Sequence, residues 1–369
     1  MREPAVVREV ACFGLPGYAG AWPTEPLSDP VWKAALSAVD RLRLPGFLQA
    51  AIEAGALPVT DQQQHEAAEL HLQWCARALR LEQLLLQLAG ILDAHGIEVV
   101  VLKGTAVAHL AYPDPAMRHF ADLDLLFRSE QFDQALEVFY GLGYVRPHPE
   151  ARPGFDRRFG KGATLEGIEG DELDVHRNLV LGTFGFAIDL DELFRSSEPF
   201  HLGGREFRGL GPETRLLHAC YHAALGDPHP RYGSVRDIAQ MLLTGSHDPT
   251  RVIGLARAWQ AEAVLARGIA LCRDHLGVAV DGPVVDAVEG YVPDRRERRA
   301  ISAYVGPNRR FAAKALASMP YLHGFGERAS FLRAVLAPDP GFVEAVGGQP
   351  GRPWIGRGLR SMFGSVRSR

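Results

Sequence analysis

Cysteine is scarce in this 369-residue chain, and its four cysteines lie far apart, at Cys12, Cys75, Cys220 and Cys272. A disulfide framework or a cysteine-based zinc site needs closely or regularly spaced cysteines, such as a Cys-x-x-Cys pair, and the chain has none. We therefore expect reduced, mostly buried thiols, as in a cytosolic protein.

Long apolar runs are also missing, because no stretch reaches the length that a helix needs to cross a bilayer. The N-terminus shows no signal-peptide pattern, so we expect a cytoplasmic protein without a membrane span. The apolar share of 47% and the charged share of 23% are ordinary for a globular protein. The length suits one large domain or two ordinary ones.

Neither sign of charge dominates, since 40 basic residues stand against 44 acidic ones and the net charge is −4. The charges are unevenly distributed, because residues 295–369 carry 14 Lys and Arg against 4 Asp and Glu. Such a basic region can meet nucleic acid, a membrane surface or another acidic partner. It can equally pack on the acidic remainder of its own chain or serve solubility. We favour these last roles over nucleic-acid binding.

The distribution of helix and strand patterns predicts an α+β fold. Apolar residues at three- and four-residue steps predict a long helix over residues 62–95, and helical patterns prevail after residue 211. Apolar runs predict strands over four segments, 97–102, 121–127, 163–169 and 172–179. We predict an N-terminal arm with helices, a small mixed sheet core, a helical acceptor- or nucleotide-side domain and a basic tail, over residues 1–60, 61–210, 211–337 and 338–369.

Asp122 and Asp124 are the most informative residues of the chain. They occupy alternate positions of the apolar run 121–127, so in a strand both side chains share one face, opposite Leu123 and Leu125. Two adjacent carboxylates repel each other, and a divalent cation with oxygen ligands would neutralise them, with Mg²⁺ as the first candidate. The alternative is a solvated face of an edge strand.

Two further features surround this pair. The first predicted strand ends at Leu102, and Lys103-Gly104-Thr105 turn the chain into a helix. Free backbone N–H groups and the positive end of the dipole at such a helix start favour phosphate. A later strand carries Asp174 and His176 on one face. A third carboxylate can complete a second metal site and help to deprotonate an attacking hydroxyl. The chain therefore has the parts that in-line transfer of a nucleotidyl group requires.

Taken together, the motifs resemble those of the bacterial uncharacterised nucleotidyltransferase family, within the polymerase-beta nucleotidyltransferase superfamily. The matching segments are Leu102–Gly104, Tyr112–Arg118, Asp122–Leu126 and Leu173–His176. The similarity extends over about residues 30–245 and implies a small polymerase-beta-type sheet core. The chain departs from the general superfamily pattern at Thr105, where Gly or Ser is usual, and in the longer gap that follows it.

The resemblance implies roles for the acidic residues and for the glycine turn. Asp122 and Asp124 would ligate Mg²⁺, and Asp174 would be the third metal ligand and the candidate base. Two ions are expected, and Mn²⁺ is an alternative metal. Gly104 and Thr105 would contact the phosphates of a nucleoside triphosphate through the backbone and the hydroxyl.

Lys103 and Arg118 would then be the countercharges of these phosphates, since arginine suits bidentate phosphate contacts. The alternatives are a surface lysine at a strand end and an ion pair of Arg118 with Asp114 or Asp122. His176 would either orient a substrate or carboxylate, or make a structural hydrogen bond.

A histidine pair marks the helical C-terminal domain. The two rings lie four residues apart on one helix face, and alanine follows the first, which excludes the zinc-peptidase pattern. A metal site with Asp227 and His229 is a minor alternative, and structural hydrogen bonds or caps are another. We expect the acceptor cleft to be lined by residues of two neighbouring helices, His218, His222, Arg236 and Asp237.

We predict a Mg²⁺-dependent enzyme that moves a nucleoside monophosphate from a nucleoside triphosphate to a hydroxyl or phosphate. The acceptor would be a small molecule or a peptide natural product. One alternative is glycosyl transfer from a nucleotide-sugar to a modified peptide in the same site. Another is a non-catalytic nucleotide-binding or scaffold protein, although three retained carboxylates argue against it.

Overall fold

The computed structural model describes residues 3–226, 229–305, 317–322 and 324–345. Asp227 and most of the predicted basic tail lie outside these ranges. The helices within them are α1 (Ala5–Cys12), α2 (Asp29–Arg41), α3 (Pro45–Glu53), α4 (Asp61–Ala94), α5 (Thr105–Ala111), α6 (Phe132–Gly141), α7 (Phe155–Phe159), α8 (Leu190–Arg195), α9 (Pro212–Leu225), α10 (Tyr232–Thr244), α11 (Pro249–Ala258), α12 (Glu262–Leu271), α13 (Pro283–Val288), α14 (Arg295–Val305), α15 (Gly324–Leu336) and α16 (Pro340–Ala345).

One mixed sheet forms the centre of the described part of the chain. Its strands are β1 (Val99–Val101), β2 (Leu123–Phe127), β3 (Gly162–Glu166), β4 (Glu172–His176), β5 (Glu198–Leu202) and β6 (Arg205–Gly209). Their spatial order is β3-β4-β2-β1-β6-β5. β2 runs parallel to β4 and antiparallel to β1, so the sheet combines both types of pairing. The predicted α+β fold with a small mixed sheet is confirmed.

β2 lies inside the sheet, and all five of its residues are buried. Leu123, Leu125 and Phe127 join an apolar cluster with side chains of α4 and α6. Leu126 packs into a second cluster on the opposite face. The predicted alternation is confirmed, whereas the edge-strand alternative is wrong, because β2 has a hydrogen-bonded neighbour on each side.

The N-terminal helices hold the segment that leads into β2. The long helix α4 begins with a capping box, in which Thr60 and Gln63 each accept a hydrogen bond from the backbone N–H of the other at 3.3 Å. Helix α3 packs on the turn Pro115–Met117. Gly46 permits this contact, because a Cβ there would lie 2.6 Å from the Met117 backbone.

The C-terminal helices pack around α9, which contacts α10, α11 and α12. One apolar cluster joins them to the N-terminal helices and to one face of the sheet, through residues such as Trp32, Leu102, Leu126, Leu217 and Trp259. The four domain ranges therefore stay predictions. In the part of the chain that the structure describes, no helix combines the length and apolarity needed to cross a bilayer.

Candidate active site

Asp124 and Asp174 are directly opposed on β2 and β4, since the parallel register pairs these two residues. The next residues on the same face, Leu126 and His176, are also paired. Residues two apart in a strand share a face, so Asp174 and His176 both stand beside Asp124. Asp122 lies just before β2 begins. The sheet thus brings together three carboxylates that are separated by up to 52 positions in sequence.

Asp124 is almost completely buried, with 1% of its surface exposed. Lys103 Nζ lies 2.8 Å from its Oδ1 and 3.7 Å from Asp122 Oδ2. Burial alone would raise the pKa of Asp124, but the Lys103 ammonium and the His176 hydrogen bond outweigh it and hold the pKa well below its usual value. Asp124 is therefore a carboxylate at neutral pH, and Lys103 is more than a surface lysine.

His176 supports both carboxylates from the same face. Its Nε2 lies 2.9 Å from Asp124 Oδ1 and 3.8 Å from Asp174 Oδ2. A carboxylate oxygen can only accept, so we assign the ring proton to Nε2. Burial, followed by repulsion from Lys161, lowers the pKa of His176, which favours the neutral ring. Thr164 donates to Asp174 Oδ1 at 2.7 Å and leaves Oδ2 of that residue open for other contacts.

Two overlapping groups of side chains offer ligands for a cation. Oxygen or nitrogen atoms of Asp124, Asp174 and His176 lie within 4.8 Å of one another, and so do oxygens of Asp122, Glu172 and Asp174. Asp124 Oδ2 is buried without a hydrogen-bond partner. An unpaired buried carboxylate oxygen is costly, and a bound cation would satisfy it. The oxygen-rich set fits a hard divalent cation, with Asp174 shared between the groups.

The glycine turn before α5 adopts a backbone conformation that favours glycine. Gly104 has φ 61° and ψ −117°, and its carbonyl accepts a hydrogen bond from Ala108 N at 3.0 Å. Gly104 also borders a cavity beside Asp122. Thr105 does not line this cavity; its side chain is buried, and its hydroxyl has no hydrogen-bond partner among the described residues. Thr105 can therefore reach phosphate only through a rearrangement or through its backbone.

Arg118 forms an ion pair, but with a partner that the sequence did not indicate. Its Nε and NH2 lie 3.2 and 2.8 Å from the two carboxylate oxygens of Asp237, and NH1 donates to the Gly104 carbonyl at 3.4 Å. Tyr112 also donates to Asp237, at 2.8 Å. The predicted alternatives with Asp114 or Asp122 are wrong, because the partner comes from α10, which packs against α5.

A cavity of about 220 Å³ opens beside Asp122. Its lining combines sheet-core and helical residues, including Arg43, Lys103, Gly104, Arg118, Asp122, His222, Arg231 and Asp237. A second cavity of about 110 Å³ is lined by Lys161, Thr164, Asp174 and His176. The carboxylates therefore stand between two spaces that ligands can enter. The larger space is rich in basic side chains, which suit anionic groups.

Two predicted cleft residues lie elsewhere. Arg236 is 1% exposed, donates to the Ala11 carbonyl at 2.6 Å and stacks over Phe47 at 3.8 Å, so it holds α10 to the N-terminal helices instead of lining the cleft. His218 is buried and does not line the cavity, whereas His222 does. Among the described residues, no cluster of metal ligands includes either histidine.

Sequence reasoning missed three charged residues of this site. Arg43 NH1 lies 3.4 Å from Asp122 Oδ1, although 79 positions separate the two residues. Arg43 has φ 60°, an uncommon conformation for a side chain other than glycine, in the turn between α2 and α3. Lys161 lies beside Asp174 at the end of an aperiodic loop, and burial lowers its pKa. The third residue is Glu172. Its one signal in the sequence was that it stands two positions before Asp174, the same spacing as between Asp122 and Asp124.

Comparison with the curated proteins finds no significant match. Among solved structures, the chain is similar to ANT(2'')-Ia in complex with adenylyl-2''-tobramycin, with 15% identity and a TM-score of 0.35 over 50% of this chain and 99% of that chain. It is also similar to an antigenic nucleotidyltransferase-like protein from Paracoccidioides brasiliensis, with 18% identity and a TM-score of 0.33 over 56% and 95% of the two chains. At these TM-scores the similarities carry no argument.

The model of a protein family gives a broader match. It covers residues 28–277, which is more than half of the chain and includes all three carboxylates, the glycine turn and the histidine pair. The description of this family confirms the predicted kinship and the predicted class of enzyme, a transferase. The chain belongs to the family of uncharacterised nucleotidyltransferases.

Proposed function

We propose that the chain transfers a nucleoside monophosphate from a nucleoside triphosphate to a hydroxyl or phosphate of a small-molecule or peptide acceptor, with Mg²⁺ as cofactor. The observation that carries the proposal is the pairing of Asp124 with Asp174, next to Asp122 and a basic cavity. Family membership supplies the class of reaction. The side chains described above are the candidates for binding the phosphates, for binding the cation and for accepting the proton.

The basic lining of the larger cavity supports binding of the triphosphate there. Four basic side chains line one opening together with two acidic ones, so positive charge is in excess there: Arg43, Lys103, Arg118 and Arg231 against Asp122 and Asp237. The volume of about 220 Å³ is below the range of roughly 300–1,000 Å³ that is typical of small-molecule pockets. We infer that the phosphates occupy the cavity and that the base or the acceptor extends beyond its mouth.

The carboxylates would hold the cation. Asp122, Asp124 and Asp174 are the proposed ligands, and the unpartnered Asp124 Oδ2 is the atom that gains most from a bound ion. A bound divalent cation supplies charge stabilisation for the phosphate oxygens and for the leaving pyrophosphate. Lys103 would keep Asp124 charged before the substrate binds, and His176 would fix the orientation of that carboxylate.

Asp174 is the proposed general base. When the acceptor is a hydroxyl, its oxygen forms a bond to the α-phosphorus, the bond to the bridging oxygen breaks, and pyrophosphate leaves with that electron pair. The hydroxyl proton passes to Asp174 Oδ2, because Thr164 already donates to Oδ1. A phosphate acceptor follows the same displacement without this proton transfer.

The proposal is tested with nucleoside triphosphates labelled at the α-phosphate, Mg²⁺ and panels of hydroxyl and phosphate acceptors. We expect label on the acceptor and release of pyrophosphate with the wild type, and neither with Asp122→Ala/Asp124→Ala. Transfer of sugar from a nucleotide-sugar, without release of pyrophosphate, would support the glycosyl alternative. Equal nucleotide binding by both proteins without turnover would support the scaffold.

A further inference from the structure

Three side chains that no part of the proposed reaction uses converge between α4 and the segment that leads into β2. His71 and Cys75 are four residues apart on α4, so they share one helix face. His119 comes from the segment between the turn Pro115–Met117 and β2. A nitrogen or sulfur atom of each lies within 4.8 Å of the others, and the burial of His119 is nearly complete at 4% exposed.

The distances within this cluster suit a tetrahedral metal. His71 Nδ1 lies 3.2 Å from His119 Nε2 and 3.8 Å from Cys75 Sγ, and the same sulfur lies 3.5 Å from His71 Nε2. Bond lengths of about 2.0–2.1 Å for Zn–N and about 2.3 Å for Zn–S give tetrahedral edges of roughly 3.3–3.6 Å. Cys75 Sγ lies near both nitrogens of His71, so the Cys75 side chain or the His71 ring must turn before one ion can contact all three atoms. The ordinary alternative is a hydrogen bond between two neutral imidazoles, with the thiol beside them.

We propose that His71, Cys75 and His119 form a binding site for a transition-metal ion of the Zn²⁺ type, separate from the carboxylate site. Thiolate and imidazole ligands favour Zn²⁺ over Mg²⁺, whereas the oxygen-rich cluster has the opposite preference. Three protein ligands leave one coordination position for water or for a substrate atom. On binding, the ion replaces the thiol proton of Cys75, which passes to solvent, and no electrons are transferred.

Charged groups of both signs lie near the cluster. Glu53 and Asp114 are the charged groups that act on His71, and both are negative. Arg118 acts on His119 with the opposite sign.

An ion bound at this cluster would link two separate segments of the chain. His119 lines the larger cavity and precedes Asp122 by three residues, whereas His71 and Cys75 belong to the long helix α4. A bound ion would tie α4 to the segment that carries both Arg118 and Asp122. Metal occupancy would thereby fix one wall of the proposed nucleotide site. This inference stands independently of the proposed reaction, because it rests on metal binding alone.

The test uses the full chain, freed of metal with a chelator and kept reduced by a phosphine, and titrates it with Co²⁺. The absorption spectrum of bound Co²⁺ shows whether sulfur is a ligand, because a thiolate ligand adds an intense charge-transfer absorption. We expect saturation of this absorption by one equivalent of Co²⁺ and its loss when Zn²⁺ is added. Mg²⁺ should leave it in place, because the carboxylates that it prefers are not part of this site.

Substitutions of the proposed ligands test which side chains bind the ion. We expect Cys75→Ser to abolish the charge-transfer absorption and His71→Ala to weaken binding by more than about 100-fold, since even outer-shell partners of metal sites account for roughly 10- to 100-fold. Cys75 and His71 are both only partly buried, so these proteins should fold, which circular dichroism checks. His65→Ala, on an exposed part of the same helix, is the matched control and should bind as the wild type does. Absence of a thiolate absorption in the wild type, or its persistence in Cys75→Ser, would overturn the proposal.

Discussion

Asp124 of β2 and Asp174 of β4 face each other across two parallel strands, with Asp124 buried and Asp174 at the border of a cavity. Their repulsion is reduced by Lys103 and His176, which both contact Asp124. The buried member is thus held in its charged form, and the more exposed member stays available for substrate. This division of roles leads to the first prediction.

Asp174→Asn should lower the rate of nucleotidyl transfer by about 100- to 1,000-fold or more. The substitution removes the negative charge of a residue that is proposed both to bind the cation and to act as the general base. Thr164 can still hydrogen-bond to the amide, so the fold should be retained. Transfer assays under saturating Mg²⁺, with a thermal unfolding curve for each protein, measure the two effects. Asp133→Asn, at an exposed position of α6, is the control. Undiminished transfer by Asp174→Asn would remove this residue from the mechanism.

Lys103→Met should destabilise the metal-free protein by about 3–5 kcal/mol, because it leaves the Asp124 carboxylate buried without its cation. Mg²⁺ should restore part of this loss, since a ligand that binds only the folded state stabilises it. Urea unfolding with and without Mg²⁺ measures both effects.

Lys33→Met provides the matched control, because Lys33 is exposed on α2 and its loss should change the unfolding free energy by less than about 0.5 kcal/mol. If Mg²⁺ stabilises Lys103→Met no more than it stabilises the wild type, the carboxylates are not the cation ligands.

Gly104→Ala should lower the unfolding free energy by about 1–3 kcal/mol, because φ 61° with ψ −117° is strained for any residue with a Cβ. The space around the Cβ position is adequate, since the nearest atoms are 3.5 Å away, so the cost comes from the backbone. The same change at Gly254, within α11 and with no atom within 4 Å, should instead stabilise by about 0.4–1 kcal/mol. Equal effects of the two substitutions would show that the turn is not strained.

Local patterns predicted those parts of the site that depend on neighbouring residues in the sequence. Alternation placed Asp122 and Asp124 opposite Leu123 and Leu125, because strand geometry has a period of two. The proximity of Asp174 could be inferred only from the family resemblance, since nothing in the periodicity says that β2 pairs with β4. β2 contributes side chains to both apolar clusters, whereas β4 contributes Leu173 and Val175 to one of them.

Contacts between distant segments could not be predicted from the chain. Arg118 was expected to pair with a nearby carboxylate, but its partner Asp237 lies 119 positions away. Arg43 reaches Asp122 because a left-handed residue joins α2 to α3, and arginine gives no sequence signal for that conformation. The sequence left Arg236 open between a place in the cleft and a structural or capping role, and packing of α10 against α1 buries it.

The pH dependence of the unfolding free energy tests whether His218 is shielded from water. Burial, with repulsion from His176, lowers the pKa of His218 to about 3, from a usual value of 6.5. Between these values the unfolded chain binds a proton that the folded chain does not. This contribution to stability is complete above the unfolded pKa and is lost as the pH falls toward the folded pKa, at up to about 1.4 kcal/mol per pH unit.

His218→Gln should therefore unfold with a flatter dependence on pH than the wild type between pH 6.5 and about 3, measured by urea unfolding at each pH. Other buried histidines contribute slopes of their own, so the readout is the difference between the two curves. Cys220→Ala is the matched control on α9, because burial raises the pKa of this thiol and keeps it uncharged throughout the acid range. Cys220→Ala should lower the unfolding free energy by the same amount at every pH. Parallel curves for His218→Gln and the wild type would mean that His218 is hydrated in the folded protein, and that the space beneath the carboxylates is open to water.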